Sequence, residues 1–278
     1  MSKLRKLAGL LTVVIAVSAI AGISVGDAEP QSPRKSFPAP EGSPFTELIS
    51  GYEFRSQETR ELQDDDFLNP GFLWVETGEE NWSVPEGEAG KSCATCHGDA
   101  EESMKGVATT FPKVAKGTGE LQALQHRINT CRVSGMKAEP WGWESDEMLG
   151  MTAFVKLQSR GLPMSVAVDG PAAEYMAQGK EFYYQRRGQL DMACASCHEA
   201  NNGKHIRADM LSQGHSNGFP TYRLKWQKLG SLHRRFKGCN KNIRAQPYKA
   251  GSPEYTALEL YLGSRGQGLP LEAPSVRQ

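Results

Sequence analysis

The motif CASCH at Cys194–His198 decides the organisation of this chain, because the nearly identical CATCH stands at Cys93–His97, 101 residues earlier. A further cysteine follows each motif, Cys131 in the first case and Cys239 in the second. These later cysteines are 108 residues apart, which indicates an insertion of about seven residues in the second copy. Each copy closes with a segment ending in SRG and a Leu-Pro pair, so the order of landmarks indicates an internal duplication.

Each C-x-x-C-H motif has the spacing of a covalent haem attachment site. Its two thiols can form thioether bonds to the haem vinyl groups, and the histidine that follows is placed to bind the iron. A redox-active cysteine pair and a zinc site made from the four cysteines are the alternatives. Neither accounts well for a histidine after both pairs in a repeated segment. We predict two covalently bound haem c groups, held by Cys93, Cys96 and His97 in the first copy and by Cys194, Cys197 and His198 in the second.

Helical signals recur around both motifs. Ser252 before Pro253 predicts a helix start, and Ser145 is the matching N-cap candidate in the first copy. A further helix before the second motif is predicted to end near Gly188. The residues after the two caps that share one helical face are Tyr255, Leu258, Tyr261 and Leu262 in the second copy and Met148, Met151, Thr152 and Val155 in the first.

A helix, a motif loop, a variable middle and a closing helix form the layout of a small c-type cytochrome domain. No segment alternates convincingly enough for a large sheet. We therefore predict a mainly α fold with two tandem cytochrome c-like domains, at residues 71–168 and 169–278, after an N-terminal extension at 29–70.

The composition and the N-terminus restrict where the protein works. The 278 residues contain 32 basic and 32 acidic side chains, and this balance argues against general nucleic-acid binding. A basic start, MSKLRK, precedes an apolar run with small residues near Ala21 and Ala28, which predicts a signal peptide at residues 1–28. An uncleaved membrane anchor is the alternative, because the run approaches spanning length. We expect export and no stable membrane span after processing.

The second axial ligand of each haem iron is open at this stage. The second copy has no methionine after Met210, which leaves His205, His215, His233 and Cys239 as candidates. In the first copy Met136, Met148, Met151 and Met164 compete with Cys131. A disulfide between Cys131 and Cys239 is also possible in an oxidising compartment. Repeat symmetry favours instead a thiolate ligand on each haem, because the two cysteines hold equivalent places.

Cys239 lies in an unusually cationic stretch. No aspartate or glutamate occurs from Met210 to Pro253, although this segment contains nine lysines and arginines. One interpretation is a solvated basic face near haem propionates, and another is a site for a small dianion beside a thiolate whose pKa the cations lower. The matching first-copy segment has fewer cations and includes Glu139. This difference favours the second copy as the reaction site and the first haem as an electron relay or a relic.

These motifs resemble the SoxA family, the larger subunit of the SoxAX cytochrome of bacterial thiosulfate oxidation. The resemblance runs from about Ser43 to the C-terminus and rests on CATCH with Cys131, CASCH with Cys239, and Arg235 four positions before Cys239. It implies a periplasmic L-cysteine S-thiosulfotransferase that joins thiosulfate oxidatively to a cysteine of the SoxYZ sulfur carrier. It also implies that the electrons leave through a monohaem partner, SoxX.

The resemblance further implies a role for each matched residue. His97 and Cys131 would be the axial ligands of the first haem, and His198 and Cys239 those of the second. Cys239 would also be the catalytic residue, carried as a persulfide, and Arg235 would contact the substrate. Because both motifs are present, the chain resembles the dihaem branch of the family.

Three other functions fit two haem motifs. A dihaem thiosulfate dehydrogenase would couple two thiosulfates to tetrathionate without a protein carrier. A non-enzymatic dihaem electron carrier would use its cysteines only to tune potential. A dihaem peroxidase would need an open position on one iron.

Overall fold

Helices form most of the regular structure in residues 35–278, the part of the chain that this computed structural model describes. The predicted mainly α class is confirmed. The predicted signal peptide at 1–28 lies outside the described residues. Across residues 35–278 no helix is both long and apolar enough to cross a membrane.

The helices occur in the order that the duplication predicts. The first half contains α1 (Gln57–Asp64), α2 (Phe72–Ser83), α3 (Cys93–His97), α4 (Ala100–Ser103), α5 (Leu124–Thr130) with its π-helical continuation (Cys131–Met136), and α6 (Asp146–Leu157). The second half contains α7 (Ala173–Tyr184), α8 (Cys194–His198), α9 (Leu232–Asn242) and α10 (Pro253–Arg265). Short 3-10 turns lie at Gly51–Phe54, Val107–Thr110 and Gly170–Ala172.

The strands are short and form four small sheets within the described residues. Three are antiparallel pairs: β1 (Ser36–Pro38) with β2 (Glu47–Ile49), β3 (Lys113–Val114) with β4 (Leu121–Gln122), and β5 (His205–Ile206) with β6 (Asp209–Met210). The fourth places β7 (Thr221–Arg223) between antiparallel β8 (Lys228–Gly230) and parallel β9 (Ser275–Arg277), with Thr221 opposite Gly230 and Ser275.

The duplication is visible in how the helices pack. Helix α2 packs on α6 in the first copy, and α7 packs on α10 in the second. A Cβ at Gly78 would collide with the carbonyl oxygen of Gly150, and a Cβ at Gly179 with that of Ala257. Gly78 and Gly179 are separated by the same 101 residues as the two motifs. Each helix pair therefore meets at a backbone contact that only glycine permits.

The closing helices α6 and α10 confirm the predicted caps and buried faces. The hydroxyl oxygens of Ser145 and Ser252 accept hydrogen bonds from the amides of Met148 and Tyr255, each at 3.3 Å. Burial extends beyond the predicted face, however, because the packing covers these helices from several sides. Every residue is buried over 148–155 in α6 and over 255–263 in α10. Helix α7 ends at Tyr184, slightly before the predicted end near Gly188.

The two copies share a core. Tyr222, Leu229, Leu271 and Val276 of the second copy belong to the same buried apolar cluster as the first-copy residues of α2 and α6. Residues from Lys35 onward belong to one compact unit. The domain boundaries at residues 71 and 169 stay predictions.

Candidate haem sites

The first motif forms the wall of a large cavity. Ser92 caps α3 through reciprocal hydrogen bonds with Thr95, which fixes the start of the CATCH helix. The cavity has a volume of about 650 Å³, within the usual range for cofactor sites. Its wall contains all the predicted first-site residues: Cys93, Cys96, His97 and Cys131.

The rest of this wall suits an apolar macrocycle. None of the described lining residues is an aspartate or a glutamate. The apolar side chains of the wall are Trp82, Met104, Val107, Phe111, Leu124, Ile128, Met136, Met151 and Val155. The Trp82 ring lies 5.9 Å from the His97 ring, and its Nε1 donates to the carbonyl of Gly98 at 3.0 Å. The residues present therefore fit a haem that is attached at Cys93 and Cys96.

The cavity wall reduces the choice of second axial ligand in the first site. Cys131, Met136 and Met151 line the cavity, whereas Met148 and Met164 are not among its lining residues. The sulfur of Met148 instead lies 3.8 Å from the hydroxyl of Thr152, one turn further along α6. Cys131 thus has the position that the repeat predicts, and two of the four competing methionines are excluded by their placement.

The second site brings α8 and α9 together. His198 lies close enough to Cys239 to lower the pKa of its thiol, so the two predicted axial ligands lie near each other. The carbonyl of Ser212 lies 2.8 Å from Nδ1 of His198, and a carbonyl can only accept, so Nδ1 carries the proton. This leaves the Nε2 lone pair of His198 available for a metal, as in most metal-binding histidines. The second site thus brings together the two residues predicted to bind the second haem iron.

The thiols of the second site have opposite pKa shifts. Burial raises the pKa of Cys194 to about 12, and burial also raises that of Cys197. Burial likewise raises the pKa of Cys239, but the positive charge of Arg235 and the proximity of His198 outweigh it and lower this pKa to about 7. Of these three thiols, Cys239 alone is held in an environment that favours the thiolate.

Arginines from two parts of the chain lie near this thiolate, and a third arginine lies near these two. Arg235 lies one helical turn before Cys239 on α9, and Arg223 comes from β7. The Nε of Arg223 donates to the C-terminal residue Gln278 at 2.7 Å. Arg55 donates a hydrogen bond to the Met210 carbonyl at 2.7 Å. Burial lowers the pKa of Arg55 most, and the nearby charges of Arg223 and Arg235 lower it further. The site therefore contains a local concentration of cationic donors.

The sequence did not indicate that Arg55 lies near Arg235 and Arg223. Arg55 belongs to the predicted N-terminal extension, and nothing in its neighbourhood resembles the second copy. Other cations of the acid-free segment pair with carboxylates that lie elsewhere in sequence. Lys225 contacts Asp209 at 2.6 Å, and Lys228 contacts Asp146 at 2.7 Å. The absence of acids along this segment thus overstates the net charge around Cys239.

The histidines that competed with Cys239 have other partners. Nε2 of His233 lies 3.0 Å from the carboxylate of Glu259, and Nε2 of His215 lies 2.9 Å from the side-chain oxygen of Gln213. His205 lies on β5 and is exposed. All six cysteines are free thiols in this structure, which therefore does not contain the alternative Cys131–Cys239 disulfide.

Comparison with known protein families gives a consistent match to this chain. The family model described as SoxA/TsdA, cytochrome c domain, matches residues 77–164 and 178–271. The L-cysteine S-thiosulfotransferase subunit SoxA of Rhodovulum sulfidophilum is 47% identical over 244 residues, covering 88% of this chain and 85% of that protein. The subunit of the same name from Pseudaminobacter salicylatoxidans is 49% identical over 241 residues, covering 86% and 84%.

A solved structure shows the same fold. The crystal structure of SoxXA from P. pantotrophus matches with a TM-score of 0.82 and 48% sequence identity. The match covers 84% of this chain and 88% of that one. The cytochrome c match implies haem c as a cofactor of this chain.

Proposed function

The chain belongs to the SoxA family, and on this basis we propose that it is the SoxA-type subunit of an L-cysteine S-thiosulfotransferase, which conjugates thiosulfate to a cysteine of the SoxYZ carrier. The single observation that carries the proposal is the second site, where Cys239 lies near His198 and Arg235. A thiolate surrounded by cationic donors is suited to sulfur chemistry on an anion.

The proposal includes two covalently attached haems. Cys93 and Cys96 would hold the first, with His97 and Cys131 as axial ligands. In the second site the attaching cysteines would be Cys194 and Cys197, and the ligands His198 and Cys239. When bound, each haem accepts and passes on electrons one at a time. The apolar first cavity and the Nδ1–H···O contact of His198 support these assignments.

The arginines would bind and orient the substrate. Thiosulfate carries two negative charges, and guanidinium groups bind such anions through short charge-assisted hydrogen bonds. Arg235 has a favourable position because it lies on the helix that carries Cys239. Arg223 would add a second cation from β7. Asp209, 3.6 Å from Arg223, limits the excess positive charge.

The overall reaction balances with two electrons. The sulfane sulfur of thiosulfate forms a bond with the cysteine sulfur of the carrier, the carrier thiol loses its proton, and two electrons are released, which bound haem would accept. Cys239, carried as a persulfide, would be the catalytic residue, since its sulfur is close to arginines that would bind the anion.

A partner and a compartment follow from the same family membership. The similar solved structure is described as SoxXA, which supports a monohaem SoxX subunit as the partner that receives the electrons. The N-terminal signal-peptide pattern supports export to the periplasm. This compartment would also contain the SoxYZ carrier and thiosulfate.

Activity measurements on the complex with SoxX test the catalytic assignment. We expect Cys239→Ala to abolish thiosulfate-dependent modification of SoxYZ while haem attachment at Cys194 and Cys197 remains. The matched control is Lys237→Ala, which removes an exposed side chain from the same helix and is expected to leave the rate unchanged. Full activity in Cys239→Ala would support the electron-carrier alternative.

Tetrathionate formation is the second candidate, because the arginines beside Cys239 could bind thiosulfate whether or not a carrier protein is present. This reaction joins two thiosulfates and needs no carrier protein. Turnover of thiosulfate without SoxYZ, with tetrathionate as the product, would favour it. Turnover that depends on SoxYZ and produces a mass increase on the carrier would favour the transferase.

A further inference from the structure

The first haem cavity adjoins a smaller one with a cationic wall. The smaller cavity has a volume of about 320 Å³, within the size range of binding sites. Three residues, Phe111, Lys113 and Arg127, line both cavities. Lys116 lines only the smaller one. The first haem cavity therefore adjoins a smaller cavity, here called the mouth, whose wall carries three cations.

These cations have no carboxylate partner in residues 35–278. Neither cavity is lined by an aspartate or a glutamate among the described residues, and no acidic oxygen there lies within 4.0 Å of Lys113, Lys116 or Arg127. Lys113 instead places its ammonium 4.5 Å from the centre of the Phe111 ring. Partial burial and repulsion from Arg127 and Lys116 lower the pKa of Lys113. The mouth thus has positive charge that an anion would stabilise.

Arg132, the other cation of the large cavity, is already satisfied. Its two terminal nitrogens donate to the Glu86 carboxylate at 3.1 and 2.7 Å, and its Nε donates to the Glu139 carbonyl at 3.0 Å. Its guanidinium also stacks 3.7 Å from the centre of the Trp141 ring. Arg132 is close enough to Cys93 to affect its pKa, so it lies on the side where the haem would be attached.

The attachment bonds and the carboxylates of haem c lie on different sides of the macrocycle. This arrangement suits a cavity with attaching cysteines and a cationic wall. The vinyl-derived thioether bonds lie on one side of the macrocycle, and the two propionate carboxylates lie on another. A haem attached at Cys93 and Cys96 must place those carboxylates away from the thioether bonds. We propose that Lys113 and Arg127, assisted by Lys116, bind the propionates of the first haem.

This inference rests on the proposed haem at Cys93 and Cys96, and it adds the orientation of that haem and a control of its potential. Cations beside the propionates offset their negative charge, which favours the reduced state and raises the reduction potential. Lys113 is particular to the first copy, whereas Arg127 has Arg235 as its counterpart, each four residues before the later cysteine of its copy. The Phe111-Pro112 pair has its counterpart in Phe219-Pro220, after which neutral Thr221 replaces Lys113.

Redox titration of the holoprotein gives the first test. We expect Lys113→Met and Arg127→Met each to lower the midpoint potential of one of the two haems, and the double variant to lower it further. The matched control, Lys180→Met, removes an exposed lysine from α7 and should leave both potentials unchanged. Unchanged potentials in the double variant would overturn the proposal.

Carbodiimide coupling tests direct contact. The reagent removes water from an adjacent carboxylate and amine and leaves an amide bond. We expect peptide mass mapping to find the Lys113 peptide linked to the haem on the Cys93–His97 peptide, and Lys113→Gln to abolish that product. Coupling of Lys228 to Asp146, which are 2.7 Å apart, is the positive control.

The outcomes separate the premise from the inference. A Cys93–His97 peptide without haem mass would contradict the proposed haem itself. Haem-bearing peptide without linkage to Lys113, despite Lys228–Asp146 coupling, would overturn the propionate contact alone. Potentials that depend on added sulfate, together with absent coupling, would identify the mouth as a site for a free anion and would also overturn it.

Discussion

At the scale of single residues, Gly214 protects the geometry of the second site. Its φ of +80° favours glycine, and a Cβ there would lie 2.7 Å from Cγ and 2.8 Å from Nδ1 of the His198 ring. The same ring nitrogen donates to Ser212. Gly214 therefore lets the backbone pass close to the proposed iron ligand without displacing it.

Gly214→Ala should disturb this ligand and destabilise the protein. Gly203→Ala is the matched control, because Gly203 has nearly the same φ, +81°, and a Cβ added there would have no neighbour within 4 Å. The control should cost only the backbone strain of about 1–3 kcal/mol. In Gly214→Ala we expect a larger loss in denaturant unfolding and a high-spin component in the haem absorption spectrum. Equal losses and unchanged spectra in the two variants would contradict this role.

Substrate binding also depends on single residues. We expect Arg235→Met to lower kcat/KM for thiosulfate by roughly 10- to 100-fold, because it removes charge-assisted hydrogen bonds worth about 1.5–3 kcal/mol. The exposed Lys237 provides the control in Lys237→Met. Steady-state kinetics with excess SoxYZ measure this effect. Equal kcat/KM values in the two variants would show that Arg235 does not bind the substrate.

At the scale of elements, each copy depends on a glycine between two helices. Gly179 of α7 meets the backbone of α10 at Ala257, as Gly78 of α2 meets α6 at Gly150. The sequence predicted the helices and their caps, because spacing and capping residues are local signals. The glycine contacts depend on which helices pair, and the only sequence signal for them was the shared 101-residue offset.

Gly179→Ala is therefore expected to separate α7 from α10. Overpacking of this kind costs about 1–3 kcal/mol, although alanine raises helix propensity. Gly238→Ala in α9 is the control, since its new methyl group would meet no atom within 4 Å. Urea unfolding of the holoproteins should show a lower midpoint for Gly179→Ala than for Gly238→Ala. The opposite order would contradict the close helix contact.

At the scale of the whole molecule, buried polar groups join the two copies. The Trp143 ring lies between His126 of the first copy and His233 of the second, at 4.7 and 4.8 Å between ring centres. The peptide of Gly251 bonds to both histidines: its carbonyl lies 3.0 Å from His126, and its amide donates to His233 at 2.9 Å. Glu259 completes this junction from α10, 3.0 Å from His233.

The junction makes stability depend on acid. Burial raises the pKa of Glu259, but His233 and Lys156 outweigh it, so the folded pKa lies below the ordinary 4.5. The ionised carboxylate therefore stabilises the fold above about pH 4.5, and this contribution is lost as the pH falls through the lower folded value. Glu259→Gln should cost about 3–5 kcal/mol near neutral pH, with a smaller difference from wild type in acid. The check is the free energy of unfolding of both proteins from pH 3 to 7. A difference between Glu259→Gln and wild type that stays constant over this range would contradict the prediction.

The sequence predicted the chemistry of the site better than the assembly around it. Both haem motifs and Cys239 could be proposed because each lies at a fixed spacing within a repeated segment, and Arg235 could be proposed from the family resemblance. Arg55 and the shared core could not be found, because they depend on contacts between distant parts of the chain. The cationic segment was interpreted without its partners, Asp146 and Asp209, for the same reason.

The most direct test of the central claim is near-infrared magnetic circular dichroism with intact mass, comparing wild type with Cys239→Met. We predict two haem masses in both proteins, thiolate-to-iron bands from both haems in wild type, and loss of one set in the variant. Any extra sulfur mass that wild type carries on Cys239 should be absent from the variant. Unchanged thiolate bands in Cys239→Met, or Cys239 recovered in a disulfide with Cys131, would contradict the claim that Cys239 is both haem ligand and sulfur carrier.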